Sequence, residues 1–322
     1  MDLRQLNVLI AVADHGGFSA AADALHTVQS NVSSHVARLE KELGVTLIDR
    51  QAGRLTEEGA LVVARARRVG GELEGLIADL AALRDEIVGP VRVGIIGTTA
   101  RWLVPRVLAA VSSRHPGIYL VIVEATSTSL EPRLASGELD LAVVNLPLPV
   151  RDLIEEPLFD EDLVLVVAAD HPLASRGRVN LAELADVQLL LPPPGTAFRG
   201  ELDAAAANVG IRLQPMAELD GLRLIASLAM EGRGPAIVPA TGVSGSGAGS
   251  AFGAGLGPDS GPWRRLAVDG LPRRRVGVAQ RRRGMLAAPA RALLEILREI
   301  AADPANPPGL HPPGPPPRPW GV

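Results

Sequence analysis

The apolar residues at the start of the chain recur at helical spacing. Positions three and four residues apart predict a first amphipathic helix, with a buried face made of Leu3, Leu6, Ile10 and Ala13. Gly16-Gly17 ends this helix. Ser19 is a suitable N-cap for a second, short helix over residues 20–25.

A third helix, predicted over residues 29–43, has two contrasting faces. Thr27 is its candidate N-cap, and Gly44 is the glycine expected at its C-terminus. Its apolar face carries Val32, Val36, Leu39 and Leu43. Its opposite side carries Gln29, Ser30, Ser33, Ser34, Ala37 and Lys41. Two short helices in this relation form a helix-turn-helix, and short polar side chains let the second helix approach base edges in a major groove. The alternative is that these polar residues only decorate a solvated helix.

One long helix is predicted from Glu57 to Ile87. Its apolar residues are spaced 4, 3, 4, 3 and 4 positions apart, and they are Val69, Leu73, Leu76, Leu80, Leu83 and Ile87. A seam with a period of 3.5 suits a partner helix, so we predict that this helix dimerises. An ordinary amphipathic helix packed on its own domain is the alternative. Gly89-Pro90 ends the helix and forms a hinge.

From Val91 to about Ile300 the pattern changes to alternating strands and helices. The apolar runs of strand length are Val91–Ile96, Ile118–Val123, Leu139–Val144, Leu163–Ala168 and Val187–Leu191. Helical segments such as Pro105–Arg114 and Leu130–Gly137 separate several of them. This alternation predicts an α/β domain with parallel strands. Its length favours two lobes with a cleft between them.

Two segments depart from this pattern. Residues 241–262 are rich in glycine and serine and are interpreted as a flexible loop or insertion. Residues 303–322 are crowded with proline and are predicted to be a disordered or polyproline-like tail. The predicted domains are therefore residues 1–59, a linker helix over 60–89, a two-lobed domain over 90–302, and the tail.

Composition narrows the function classes. The 322 residues include no cysteine, which removes disulfides, thiolate nucleophiles and cysteine-based zinc sites. None of the six histidines has a second histidine or a carboxylate at metal-ligand spacing, so we expect no metal. The sequence shows no nucleophile–base pair and no paired carboxylates, so we also expect no cofactor and no catalysis. The chain lacks an apolar run of 18 residues and a signal-peptide pattern, so we expect a cytoplasmic protein without a membrane partner.

Four motifs carry a resemblance to a known family. They read FSAAADAL over residues 18–25, QSNVS over 29–33, LEKELGVTLIDR over 39–50 and LTEEG over 55–59. Together they resemble the LysR-type transcriptional regulators. The resemblance implies a multi-domain α+β protein, with a winged helix-turn-helix, a dimerising linker helix and a two-lobed α/β effector-binding domain similar to type 2 periplasmic binding proteins. It implies a sequence-specific regulator that binds double-stranded DNA as a homodimer or homotetramer and responds to a small-molecule effector.

The resemblance also implies which residues contact DNA. Gln29, Ser30 and Ser33 match the family's contact positions on the recognition helix, and Arg50 and Arg54 lie at the wing. Thr27 and Ser34 complete the predicted set, although many members carry an arginine at the place of Ser34. The wing between Arg50 and Leu55 is shorter than in many members.

Charge sets a further expectation for this domain. Residues 1–58 hold five basic and eight acidic side chains, a net charge of −3 within a chain of net charge −4. Since DNA affinity draws on counterion release by lysine and arginine, we expect modest affinity per domain. Two or more domains on one roughly palindromic site would recover it.

The family's effector site lies between the lobes, at the carboxyl ends of strands. On this basis the predicted effector-binding residues are Thr98, Thr99, Asn145, Gly195, Thr196 and Phe198. Simple helix capping is the alternative for the two threonines at 98 and 99. Arg199 is expected to be solvated or, alternatively, to pair an acidic effector, and residues 232–239 are expected to form a structural glycine turn before a buried strand.

Two arginine triplets, at 273–275 and 281–283, flank an apolar strand. They are interpreted as solvated strand ends, with a DNA-contacting patch as the alternative.

Two rival functions remain open at this stage. The first is a catalytic α/β protein with an accessory helical module, and the second is a two-lobed solute-binding protein. Turnover of a small molecule would favour the first, and the helix-turn-helix argues against the second.

Overall fold

The computed structural model describes residues 1–49, 51–150, 152–243 and 262–315. Arg50 and most of the glycine/serine-rich segment lie outside the described residues. Numbered along the chain, the helices are α1 (Leu3–His15), α2 (Phe18–Ala24), α3 (Gln29–Leu43), α4 (Glu57–Ala82), α5 (Gly97–Arg114), α6 (Ser127–Ser136), α7 (Ala197–Asn208), α8 (Leu222–Met230) and α9 (Ala288–Ala302).

The strands follow the same numbering. They are β1 (Ile48–Asp49), β2 (Arg54–Leu55), β3 (Gly89–Ile95), β4 (Ile118–Glu124), β5 (Leu141–Leu146), β6 (Leu153–Glu161), β7 (Leu163–Ala168), β8 (Arg178–Asn180), β9 (Gln188–Leu191), β10 (Gln214–Glu218), β11 (Ala236–Pro239), β12 (Trp263–Asp269), β13 (Arg274–Arg281) and β14 (Leu310–His311).

The N-terminal head packs α1, α2 and α3 around one core, with β1 and β2 as a short antiparallel hairpin. Asp2 and Gln5 form a capping box at the start of α1, and Gly44 ends α3 in the left-handed conformation at φ 71°. The predicted caps of the other two helices differ. Gly17 stands at the N-cap of α2 instead of Ser19, and Val28 stands at that of α3 instead of Thr27.

Helix α4 ends five residues before the predicted boundary at Ile87. Asp85 adopts the left-handed conformation at φ 63°, and the amide of Glu86 donates to the carbonyl of Ala81 at 3.2 Å. This pattern closes a helix C-terminus, so the chain turns before the periodicity runs out. Ile87 instead packs against the core of the first lobe, and the prediction that it belongs to the helical seam is wrong.

The first lobe is built on a six-stranded sheet with the order β14-β6-β13-β5-β3-β4. Strands β3, β4 and β5 are mutually parallel as predicted, whereas β13 runs antiparallel to both β5 and β6. The sheet is therefore mixed, because β13 returns to it from the second lobe. Apolar residues of α5, α6 and α9 complete the core on the sheet.

The second lobe contains a four-stranded sheet with the order β11-β7-β12-β8 and a parallel pair of β9 and β10. Helices α7 and α8 cover it. The chain passes between the lobes at Asp162, which joins β6 to β7, and again at residues 270–273, which join β12 to β13. The predicted buried strand after the glycine turn at 232–234 is present as β11.

Residues 309–311 depart from the disordered or polyproline-like tail predicted from residue 303. Leu310 and His311 pair with β6, and the amide of Asp162 donates to the carbonyl of Gly309 at 2.9 Å. The imidazole of His311 lies 2.9 Å from the carboxylate of Asp162. Backbone pairing at a sheet edge orders this segment despite its prolines, and residues 316–322 lie outside the described residues. Among the described helices, none has both the length and the apolar character needed to cross a membrane.

Candidate functional site

Helix α3 presents the polar face that the sequence predicts. Val32, Val36 and Leu39 are fully buried against α1 and α2, which directs the opposite side of the helix outward. Gln29 and Ser30 are exposed at its first turn.

The remaining predicted DNA-contacting residues differ in their exposure to solvent. Ser33 and Ser34 are half-buried. Thr27 is also half-buried and accepts a hydrogen bond from the side-chain amide of Asn31 at 3.0 Å. Arg54 is exposed on β2, and Arg50 lies outside the described residues.

The wing is anchored by side chains that accept backbone hydrogen bonds. The carboxylate of Glu40 accepts from the amides of Leu47 at 2.8 Å and Ile48 at 3.3 Å. The carboxylate of Asp49 accepts from the amides of Ala52 and Gln51, each at 3.0 Å, and these bonds lower the pKa of Asp49. The turn that carries Arg54 is thereby tied to the recognition helix.

The apolar seam of α4 is largely exposed. Its uncovered members are 40–58% exposed, and they are Val69, Leu73, Leu76 and Leu80. Leu83 lies just beyond the helix end and is 83% exposed. A row of exposed apolar side chains at coiled-coil spacing is typical of a surface that pairs with another helix.

Two arginines of α4 connect the head with the first lobe. Arg67 forms ion pairs with Asp14 of α1 and, at 3.4 Å, with Glu138 beyond α6. Arg68 donates to the carbonyl of Ala135 in α6. The helix that carries the seam therefore contacts both the head and the first lobe.

Thr98 and Thr99 lie in the first turn of α5, where both are buried. Their hydroxyl oxygens already have a donor, because Nη2 of Arg274 lies 2.8 Å from Thr98 Oγ1 and 3.4 Å from Thr99 Oγ1. Arg274 in turn pairs with Glu161, which is fully buried.

Glu161 also bonds to the second lobe. Its Oε1 accepts from the amide of Thr241 at 2.8 Å and from the Thr241 hydroxyl at 2.6 Å. Thr241 is buried, although the sequence places it in the flexible segment. A single buried carboxylate thus connects β13 with the second lobe, and the sequence pattern did not reveal it.

The other predicted effector residues are spread over both lobes. The backbone amide of Asn145 donates to the hydroxyl of Ser127 at 3.0 Å, and its buried Oδ1 has no partner among the described residues. Thr196 caps α7 beside Gly195, which adopts φ 87°. Phe198 packs in the core of the second lobe, so its side chain is unavailable to a ligand there.

Arg199 is neither solvated nor free for an effector. Its side chain is about 10% exposed, and it bonds to Asp203, to Glu218 and to the carbonyl of Pro192. Burial of a guanidinium requires such partners, which holds this arginine within the second lobe.

An ion pair joins the two lobes beside the first turn of α5. Nη1 of Arg223, on α8, lies 2.8 and 2.6 Å from the carboxylate oxygens of Glu124, at the end of β4. This carboxylate stands directly before the first turn of α5, since a Cβ placed on Gly97 would lie 2.9 Å from Glu124 Oε1. Both side chains are partly exposed to solvent.

All three arginines of the first triplet are ion-paired, and only Arg273 is solvated as expected, with its side chain 54% exposed. Arg273 pairs with Asp162 at 2.7 Å and Arg275 pairs with Asp160 at 2.8 Å, on either side of the buried Arg274–Glu161 pair. The bond from Arg275 lowers the pKa of Asp160. The acidic run at 160–162 was the signal for this ladder, and its partner lies more than 110 residues away in sequence.

Comparison with known families accounts for most of the chain. The family described as "Bacterial regulatory helix-turn-helix protein, lysR family" matches residues 3–60. The family described as "LysR substrate binding domain" matches residues 84–302. The two matches cover the head and the two lobes.

Individual relatives agree with this assignment. A "Probable hydrogen peroxide-inducible genes activator" of Streptomyces viridosporus is 36% identical over 246 residues, which cover 75% of this chain and 78% of the relative. A full-length OxyR from Pseudomonas aeruginosa, with a cysteine replaced by aspartate, has a TM-score of 0.73 at 26% identity and covers 98% of this chain and 99% of its own. CbnR in complex with its target DNA has a TM-score of 0.64 at 24% identity, covering 94% and 100%.

Proposed function

Because this chain belongs to the LysR family of DNA-binding transcription regulators, we propose that a small anionic molecule binds reversibly between its lobes and controls it. The observation that carries this proposal is the Arg223–Glu124 pair, which connects the two lobes beside the first turn of α5. It brings a cation of one lobe to the head of α5 in the other lobe, where backbone amides favour negative charge. The protein's own carboxylate holds the position that a ligand carboxylate would take.

The energetics of this pair suit a switch. A partly exposed ion pair stabilises by only about 0–1 kcal/mol, so a ligand carboxylate with further contacts can displace Glu124 from Arg223. Displacement changes the bond that connects the lobes, and the ligand shifts the balance between lobe arrangements by its differential affinity. The buried Oδ1 of Asn145 has no partner among the described residues, so its side-chain amide is proposed to contact the ligand, whereas Thr98 stays bonded to Arg274.

Chemistry excludes one alternative signal. Two of the relatives are named for hydrogen peroxide or carry an altered cysteine, and reversible sensing of peroxide by a thiol needs a cysteine that passes through sulfenic acid. This chain has no cysteine in its 322 residues. We therefore propose a signal that binds without covalent change.

On the DNA side, α3 is proposed to enter the major groove with Gln29, Ser30 and Ser33 toward the bases. The exposed seam of α4 is proposed to pair two copies, which places two heads on one site. We propose that the protein acts in the cytoplasm and has no catalytic turnover of its own.

The test measures DNA binding and ligand response together. Fluorescence anisotropy follows a labelled duplex from the region upstream of the chain's own coding sequence, with a panel of small carboxylates added at constant ionic strength. We expect at least one carboxylate to change the affinity of the wild type for this duplex.

Two variants assign the ligand effect to a position. Arg223→Gln is expected to abolish the effect of that carboxylate. Arg178→Gln, which removes a similarly exposed paired arginine elsewhere in the second lobe, is expected to preserve it. A carboxylate response that survives Arg223→Gln unchanged would contradict the proposed anion position. Absence of any DNA binding at low salt would overturn the regulator function itself.

A further inference from the structure

The head contains a cavity that the recognition face does not account for. It lies between α1 and α3, beside the turn that precedes α3, and has a volume of about 430 Å³. Aliphatic side chains, among them the buried Val8 and Val32, form its floor. Its polar lining consists of Arg4, Asn7, Thr27, Asn31 and His35.

The charge of this cavity is positive and uncompensated. None of its lining residues is acidic. Arg4 is exposed and has no ion pair or hydrogen bond among the described residues, and the same holds for the amide of Asn7. In a head of net charge −3, Arg4 brings a guanidinium to this cavity with no carboxylate among the lining residues.

The polar atoms of the cavity are mainly donors. Arg4 offers five N–H groups, the amide of Asn7 offers two, and an imidazole offers N–H at either nitrogen. Nδ1 of His35 is buried and has no hydrogen-bond partner among the described residues. A buried polar atom without a partner is costly unless something satisfies it. Oxygen acceptors with negative charge would satisfy this set.

The position of the cavity indicates which molecule supplies these negatively charged oxygens. Thr27 and Asn31 belong to its rim, and between them in sequence lie Gln29 and Ser30 at the exposed first turn of α3. When a recognition helix enters a major groove, the sugar–phosphate backbones run along both of its sides. A cavity beside the first turn of that helix therefore faces a backbone.

We propose that this cavity binds a backbone phosphate of the operator, with Arg4 as its main cation and Asn7 as a neutral donor. The inference rests on the proposed docking of α3 in the major groove. It adds contacts that the recognition-helix positions do not include. It also gives an acidic head one well-placed cationic contact with DNA.

The test uses the salt dependence of DNA binding by the full chain. Each phosphate contact contributes about 0.9 to the slope of log K against log salt concentration. For a dimer with two heads on DNA, Arg4→Gln is expected to lower the slope by about 1.8. Affinity is expected to fall by a similar factor for the specific duplex and for an unrelated duplex, since a phosphate carries no sequence information.

Two further variants separate this role from general effects of charge or folding. Arg212→Gln removes an exposed arginine of the second lobe and is expected to leave the slope unchanged. Asn7→Ala is expected to weaken binding without changing the slope, because the amide carries no charge. Circular dichroism melting of Arg4→Gln should match the wild type, as the side chain is exposed.

Three outcomes would overturn the inference. The first is an unchanged slope in Arg4→Gln, and the second is a loss confined to the specific duplex, which would indicate base readout. The third is an unchanged slope combined with stabilisation of the DNA-free protein by inorganic phosphate, where Arg4→Gln removes this stabilisation. That result would identify a site for small anions instead of a DNA contact. If the wild type binds no DNA, the regulator function fails instead, so the two failures are distinguishable.

Discussion

Replacement of Glu161 by glutamine tests how strongly one buried carboxylate holds the lobes. The side chain is fully buried and accepts three hydrogen bonds of 2.6–2.8 Å, two from Thr241 and one from Nε of Arg274, and its Oε2 also lies 2.6 Å from Nη2 of Arg274. Glutamine has nearly the same shape, so no cavity forms. Its oxygen can still accept from Thr241, but its NH₂ group then faces the N–H groups of Arg274.

The expected cost follows from the burial of Arg274, which is only 5% exposed. Breaking one partner of a buried ion pair leaves an uncompensated charge and destabilises by about 3–5 kcal/mol. Glu156→Gln is a matched control on the same strand. Glu156 makes two bonds of 2.6 Å to Arg298, but both side chains are more than a third exposed. Its loss should cost about 0–1 kcal/mol.

Urea denaturation followed by circular dichroism measures both variants. The protein concentration is held constant because oligomerisation contributes to apparent stability. The reasoning is refuted if Glu161→Gln lowers the free energy of unfolding by less than about 1 kcal/mol, the upper limit for an exposed pair. It is also refuted if the loss is no greater than that of Glu156→Gln.

Three further predictions concern the apolar seam of α4, the loss of stability at acidic pH and the C-terminal strand. Leu76→Glu places a charge on an exposed seam position, so it should dissociate the oligomer without unfolding the chain, and light scattering that still reports the wild-type mass would contradict this. Arg275 lowers the folded-state pKa of Asp160, so the stabilisation is present above the unfolded pKa of about 4 and is lost as the pH falls through the folded value. In Asp160→Asn, the free energy of unfolding should therefore fall less steeply than in the wild type below about pH 4. An unchanged pH dependence would exclude this contribution. Gly309 adopts φ 94°, and a Cβ there would lie 2.5 Å from the Cβ of Ala240, so Gly309→Ala should cost about 1–3 kcal/mol and expose the last strand to limited proteolysis. If Gly309→Ala resists the protease as well as the wild type does, this prediction is wrong.

The sequence alone determined those elements whose signals are local. Helix α3 spans the predicted residues 29–43 because its apolar residues follow the helical period and Gly44 ends it in the left-handed conformation. The predicted strand from Leu163 to Ala168 has the same bounds in the structure for a similar reason, since a continuous apolar run marks a strand covered on both faces. The resemblance of the head to the LysR family also rests on contiguous motifs.

Tertiary structure decided the partners of the polar residues. Thr98 and Thr99 are at the expected place, but only the fold brings Arg274 to their hydroxyl groups. The burial of Phe198 and Arg199 was likewise decided by the tertiary structure. The amphipathic pattern of a helix indicates that one face is buried, but it does not identify the side chains that pack against this face.

The ladder between residues 160–162 and 273–275 shows the physical reason. Each triplet alone resembles a solvated charge run, since charge patterns carry no information about distant partners. Strand pairing between β6 and β13 sets the register that opposes them, and burial then makes the central pair obligatory. The local period of the chain determined its helices and strands, whereas contacts between residues far apart in sequence decided which charges are paired and which remain available to bind DNA or an effector.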